Sequence, residues 1–289
     1  MKKIVLLLIS FFVAQSAFAV DQGPVLPLRI LTYGYKYTNG LYHEGVDEYG
    51  IPIAKGFPQM VNEELQYTYN YSGNLYYWLA RENSQASTTH FLSSVSDNYN
   101  FVFFVGHGQP NYILFYDGPV DVKDKKFGGN TYWAWFFSCE VLKDAADYGD
   151  TRLNEMFNRG VHSILGFATS VTAGVEGWDV PREFAKQWIS RGKSIWASFK
   201  EAVQIQLHNR NFTPMQPQGD GTSISVGNVP AIANRWGFVN GRATDLSSEK
   251  FATAYKGPVL NSTAYNNDPS HFSVRKQVYT RPTYDRDYR

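Results

Sequence analysis

The sequence predicts an α/β fold: three layers, with a mostly parallel central sheet and helices on both faces. Three observations predict it. The runs Phe101–Val105 and Trp133–Phe137 are apolar at every position, the pattern of strands covered on both sides rather than one. Segments with apolar residues at helical spacing stand before, between and after these runs, and such alternation of strands with helices implies parallel pairing. Finally, about 270 residues follow the first nineteen, enough for one large domain with a smaller annex.

Those first nineteen residues read as an export signal. Lys2 and Lys3 form a charged start, residues 4–13 an apolar core, and Ala17-Phe18-Ala19 a small-x-small cleavage site. No cysteine follows the cut, so no lipid anchor is expected there. The mature chain is expected to begin at Val20 and to be secreted or periplasmic, behind a bacterial-type signal. No later stretch is apolar enough to insert into a membrane.

Residues 28–35 read as the first strand, after a lead-in containing Pro24 and Pro27. Residues 38–57, rich in glycine and charge, read as a loop, and 58–65 as a helix. Residues 74–81 place Leu75, Trp78 and Leu79 at helical spacing and predict a second helix. Residues 87–95, with Ser and Thr at the start and Phe91, Leu92 and Val95 on one face, predict a third. The strand at 100–105 follows. Then comes a hairpin, 112–116 and 120–122 about Asp117-Gly118, and the strand at 132–137. A helix over 152–158 ends at Gly160. A short strand spans 162–167, and helices span 180–190 and 194–208, parted by Gly192. The main α/β domain thus covers 20–208. Residues 209–265 predict a loop-rich extension packed on it, and 266–289 a poorly ordered tail.

Charge excludes one class of partner. The chain has 27 Lys and Arg against 26 Asp and Glu, with two of the lysines in the signal, so it carries no electrostatic footprint for nucleic acid. There is a single cysteine, Cys139. In an exported protein it forms no internal disulfide. A free cysteine is commonly a small buried hydrophobe, and the alternative is a nucleophile. The 20 Tyr, 20 Phe and 7 Trp mostly fall in the apolar runs and read as core. No oligomeric state follows from the sequence.

The two apolar runs end on chemistry. The first stops at Gly106-His107-Gly108 and the second at Ser138-Cys139. Ligand sites in parallel α/β sheets lie beyond the carboxyl ends of the strands, where both motifs fall. If the strands are neighbours, about 5 Å separates them. A thiol attacks as thiolate and needs a base, and histidine titrates near neutrality. The oxyanion of an acyl-transfer intermediate needs backbone N–H donors. Gly108, lacking a Cβ, admits close approach of a bound carbonyl, and the Cys139 N–H offers a second donor. The candidate catalytic residues are therefore His107 and Cys139, with Gly108 and Cys139 at the oxyanion hole.

At these motifs the chain resembles the caspase-like superfamily of cysteine peptidases, which includes caspases, metacaspases, legumains, clostripain and gingipains. There an apolar strand ends in His-Gly, and a later one ends in a small residue followed by the nucleophilic Cys. By element order the resemblance covers roughly residues 28–208. It implies a caspase-like three-layer sandwich, a peptide or protein substrate, a Cys139–His107 dyad, and no cofactor or metal. Several members carry an acidic or polar residue two before the cysteine, shaping the primary specificity pocket. Here that residue is Phe137, so selection of Arg or Lys is not implied. Glu140, directly after the cysteine, raises the thiol pKa if it lies close.

Other signals carry less. Gly192-Lys193-Ser194 lacks the first glycine of a phosphate-binding loop and follows a helix. His43, His90, His162, His208 and His271 lack metal-ligand spacing, and His162 reads as packing or capping. Asp147, Asp150 and Glu155 read as a solvated helix start rather than a calcium site. The leading expectation is an exported peptidase. A catalytically inactive binding protein on the same fold, and a cysteine-dependent hydrolase of other acyl substrates, are the alternatives.

Overall fold

The computed structural model describes residues 23–34, 50–69, 76–142, 156–157, 161–168, 171, 179–209, 230–239, 242–254, 256 and 274–278. The export signal, most of the helix expected over 152–158, and the acidic residues Asp147, Asp150 and Glu155 lie outside them.

The strands at 101–105 and 133–137 sit inside one sheet. Phe101–Val105 (β3) pairs in parallel with Leu28–Gly34 (β1) on one side and with Trp133–Phe137 (β7) on the other. Tyr76–Glu82 (β2) forms the parallel edge beyond β1, and Ser163–Phe167 (β8) lies beyond β7. Alternate residues of these strands fill two separate cores. Phe101, Phe103, Val105, Trp133, Trp135 and Phe137 face the helices Gly50–Tyr69 (α1), Asp179–Ala185 (α3) and Ile195–Asn209 (α4). Val102, Phe104, Ala134 and Phe136 face the other layer. That layer holds the short helix Thr88–Leu92 (α2) and a small antiparallel sheet of Gly108–Gln109 (β4), Tyr112–Phe115 (β5) and Gly118–Asp121 (β6). The two cores explain why the runs show no alternation. Each fully buried ring contributes about 1.5–3 kcal/mol. Aromatic pairs lock the first core, with Phe57–Phe103 centroids at 4.5 Å and Trp135–Phe184 at 4.9 Å. The fold class is thus the expected one, an α/β sandwich with a mostly parallel sheet.

Four local expectations change. Residues 74–81 are not a helix: Tyr76–Glu82 is β2, in register with β1 along its whole length. The segment Tyr76-Tyr77-Trp78 has strong strand preference, and an edge strand with Trp78 exposed satisfies both it and β1. The segment expected as a loop to residue 57 and a helix after it is one helix from Gly50. Ile53, Ala54, Phe57, Met60, Val61 and Leu65 form its buried stripe, and burial of that stripe carries the helix through Pro58. The helix expected over 87–95 is shorter. It starts with Ser87 Oγ accepting from His90 N–H at 3.2 Å and gives way at Ser93 to a 3₁₀ turn over Ser94–Asn98.

The fourth change is the largest. Residues after 209 do not merely pack on the domain as loops. Pro230–Val239 (β9) adds to β8 antiparallel, and Arg242–Asp245 (β10) pairs back on β9. Val274–Val278 (β11), within the segment expected to be a poorly ordered tail, pairs with β9 as well. The sheet has eight strands among the described residues, five of them parallel.

At the amino ends of β7 and β8 the sheet is closed by a buried polar clasp. His162, fully buried, stacks on Tyr132 at 4.9 Å. Its Nδ1 lies 3.1 Å from both carboxylate oxygens of Glu249. Glu249 Oε2 also accepts from Trp133 Nε1–H at 2.7 Å, and its carbonyl accepts from the Ile195 N–H at the start of α4. The packing role expected of His162 thus takes the form of a clasp between strands and the segment after β10. Gly192, with φ of +61°, turns the chain between α3 and α4. Ser194 Oγ accepts from the Ala197 N–H at 3.3 Å. No helix among the described residues is long and apolar enough to cross a membrane.

Candidate active site

The register of β3 and β7 sets the site. Val105 pairs with Phe137, so His107 and Cys139 each stand two residues beyond a paired position on adjacent strands. Pairing continues past the strand ends: the Gly106 N–H donates to the Phe137 carbonyl at 3.3 Å. The chain of β3 then bends into β4, where the His107 carbonyl accepts from Leu114 N–H at 3.0 Å. Gly108 is paired with Ile113 in β5. A bond from the preceding carbonyl marks Gly108/Ile113 as a non-hydrogen-bonded pair, so the Gly108 N–H points away from β5.

Gly108 lies directly on the cysteine turn. A Cβ there would stand 2.6 Å from the Cys139 carbonyl oxygen, 2.8 Å from Ser138 Oγ and 2.9 Å from Ser138 Cβ. Only glycine permits this approach. The structure therefore packs Gly108, the residue after His107, against Ser138-Cys139.

Cys139 is half-buried, as is His107. Its Sγ accepts from the Val171 N–H at 3.3 Å and lies 3.5 Å from the Val171 carbonyl. Burial pushes the thiol pKa up, the Val171 N–H lowers it, and the charge of Glu140 raises it again. The effect expected of Glu140 is thus present, second to burial among the causes that raise the pKa. Glu140 adopts φ of +53°, a left-handed conformation that costs a non-glycine residue on the order of 1 kcal/mol and turns the chain sharply after the cysteine.

Phe137, two residues before the cysteine, is buried. It packs edge-on against Phe167 at 5.4 Å and against Trp135 at 5.7 Å. It is part of the first core. Two neighbours of the thiol have no sequence signal of their own. Val171 acts through its backbone, so its side-chain type is uninformative. Ser138 is read as a small residue, whereas its buried Oγ has no hydrogen-bond partner among the described residues.

Comparison with solved structures gives distant matches. The Arg-specific cysteine proteinase gingipain R (RGPB) matches at 9% identity and TM-score 0.44, over 82% of this chain and 48% of that one. The complex of Porphyromonas gingivalis RgpB pro- and mature domains matches at 9% identity and TM-score 0.45, over 82% and 49%. A pro-sf-caspase-1 structure matches at 8% identity and TM-score 0.42, over 75% and 94%. The chain spans about half the length of the gingipain chains. At these identities and scores the likeness carries no inference about chemistry. No curated protein sequence matches the chain. A family match covers most of the fold described above: residues 48–257 fit the family described as Domain of unknown function (DUF6345), and the chain belongs to that family.

Proposed function

We propose that the protein is an exported cysteine hydrolase that cleaves peptide bonds, with Cys139 as nucleophile and His107 as its base. The observation that carries this reading is the packing of Gly108 on Ser138-Cys139, which joins the histidine turn to the only thiol of the chain. The raised thiol pKa means that Cys139 rests protonated at neutral pH. His107 would therefore take the Sγ proton as Sγ bonds to the substrate carbonyl carbon. The carbonyl oxygen, now negative, would accept from the N–H groups of Gly108 and Cys139. Collapse breaks the carbon–nitrogen bond, and His107 returns the proton to the departing amine. Water then hydrolyses the thioester, with His107 taking its proton and the thiol restored.

A non-catalytic binding protein is the second reading. The burial of the thiol and the charge of Glu140 beside it favour it, because both oppose formation of a thiolate. Digestion of a mixed peptide library, read by mass spectrometry for new termini, separates the two. The catalytic reading expects cleavage that disappears once Cys139 is fully alkylated. A folded protein that yields no new termini, or whose cleavage survives alkylation, contradicts it.

A further inference from the structure

A second polar cluster stands near the carboxyl end of the sheet, at the β2 edge. Arg81 pairs in register with Tyr33 of β1 and shares a face with Leu79, which packs against the second core. Helix α2 lies over that face. The Tyr33 hydroxyl is 3.0 Å from His90 Nδ1, with the rings 5.7 Å apart. Burial holds the Tyr33 pKa far above its ordinary value, so the hydroxyl keeps its proton and donates to Nδ1. Burial, then the charges of Arg81 and Lys125, hold His90 below its ordinary pKa and keep the ring neutral. The ring proton therefore sits on Nε2.

That Nε2–H is buried and has no hydrogen-bond partner among the described residues, and the same holds for Arg81 Nε–H. The nearby carboxylates are committed elsewhere. Glu82, adjacent in sequence and hence on the opposite face of β2, pairs with Lys55 at 2.9 Å. Asp117 accepts from the Thr88 N–H at 2.7 Å and from its hydroxyl at 2.8 Å. Lys125 adds positive potential from within the core. It is buried with Nζ 2.6 Å from the Ser93 carbonyl, and it sits over the rings of Phe91 at 5.8 Å and Phe127 at 5.5 Å. Buried donors are nearly always satisfied, and an arginine and a histidine N–H backed by a cation match an oxyanion.

We propose that Arg81 and His90 form a binding site for a single oxyanion, a carboxylate or inorganic phosphate, at the β2 edge of the sheet. With β1 between β2 and β3, the site lies on the order of 10 Å from the end of β3. It is separate from Cys139.

The test is a side-chain nitrogen NMR titration of the full mature protein at fixed ionic strength, with sodium acetate in one arm and inorganic phosphate in the other. The His90 Nε2 resonance is expected to move saturably with at least one of them. Arg81→Gln, checked for folding by circular dichroism, is expected to need at least about tenfold more anion, because one charged donor is lost. Lys186→Gln, in the helical turn Lys186–Ser190 that follows α3 and packs on the first core, is expected to change nothing. A response to acetate identifies a carboxylate ligand, and a response to phosphate alone identifies phosphate. A His90 Nε2 signal unmoved by either anion up to about 100 mM overturns the site. So does an equal response in folded Arg81→Gln. If that variant does not fold, the wild-type titration alone decides.

Discussion

Gly108→Ala is expected to lower peptide hydrolysis by at least about a hundredfold, although it leaves the thiol and the imidazole chemically intact. The added methyl would meet the Cys139 carbonyl oxygen at 2.6 Å and Ser138 Oγ and Cβ at 2.8 and 2.9 Å. These are backbone and short, buried side-chain atoms, not the end of a flexible chain. The strand ends of β3 and β7 must therefore separate, and a displacement near 1 Å costs about two orders of magnitude in rate. Overpacking of this kind also costs about 1–3 kcal/mol of stability. Gly192→Ala supplies the contrast. Nothing lies within 4 Å of its added Cβ, but φ is +61°, so it is expected to cost about 1 kcal/mol and leave hydrolysis unchanged. Steady-state kcat/KM and denaturant unfolding of both variants check this. Activity of Gly108→Ala within about threefold of wild type contradicts the close packing of the two turns.

Glu249→Ala is expected to destabilise the fold by about 3–5 kcal/mol, the cost of stripping one partner from a buried charged or hydrogen-bonded group. The carboxylate joins His162 Nδ1 at 3.1 Å and Trp133 Nε1 at 2.7 Å, and both of those residues are fully buried. Removing it leaves two buried ring nitrogens without that partner, at the amino ends of β7 and β8 and the start of α4. The effect is one of stability, since the clasp lies at the opposite end of the strands from Cys139. Urea unfolding measures it. A loss below about 1 kcal/mol would show that water or a neighbouring group replaces the carboxylate.

The strands that carry the motifs were legible because burial on both faces leaves a uniform apolar run, as in Phe101–Val105 and Trp133–Phe137. The His-Gly and Ser-Cys turns were legible for the same reason, since polar residues mark where each run stops. What escaped were elements defined by their neighbours. Tyr76–Glu82 becomes a strand because β1 offers an open edge, a fact that the spacing of Leu75, Trp78 and Leu79 does not carry. β9 is covered by pairing along both edges, so its polar residues Asn234 and Arg235 masked it. A signal was present even so: Asn240-Gly241 separates Val239 and Arg242, which pair across the hairpin, and Asn-Gly is the strongest short-range hairpin dipeptide. The clasp of His162 with Glu249 joins positions 87 residues apart, and no local pattern connects them. The Val171 contact with the thiol uses main-chain atoms, which every residue type supplies equally.

The central claim is that His107 acts on Cys139 across the gap between β3 and β7. The most direct measurement is the labelling rate of Cys139 by a peptidyl electrophile at neutral pH, followed by intact mass, in wild type and in His107→Ala. Because burial raises the thiol pKa, an unassisted Cys139 reacts more slowly than a free cysteine, whose pKa is about 8.5. The account predicts rapid labelling of the wild type and a loss of about 10²–10⁴-fold in folded His107→Ala, the range for a positioned general base. Equal labelling rates in the two proteins would contradict it.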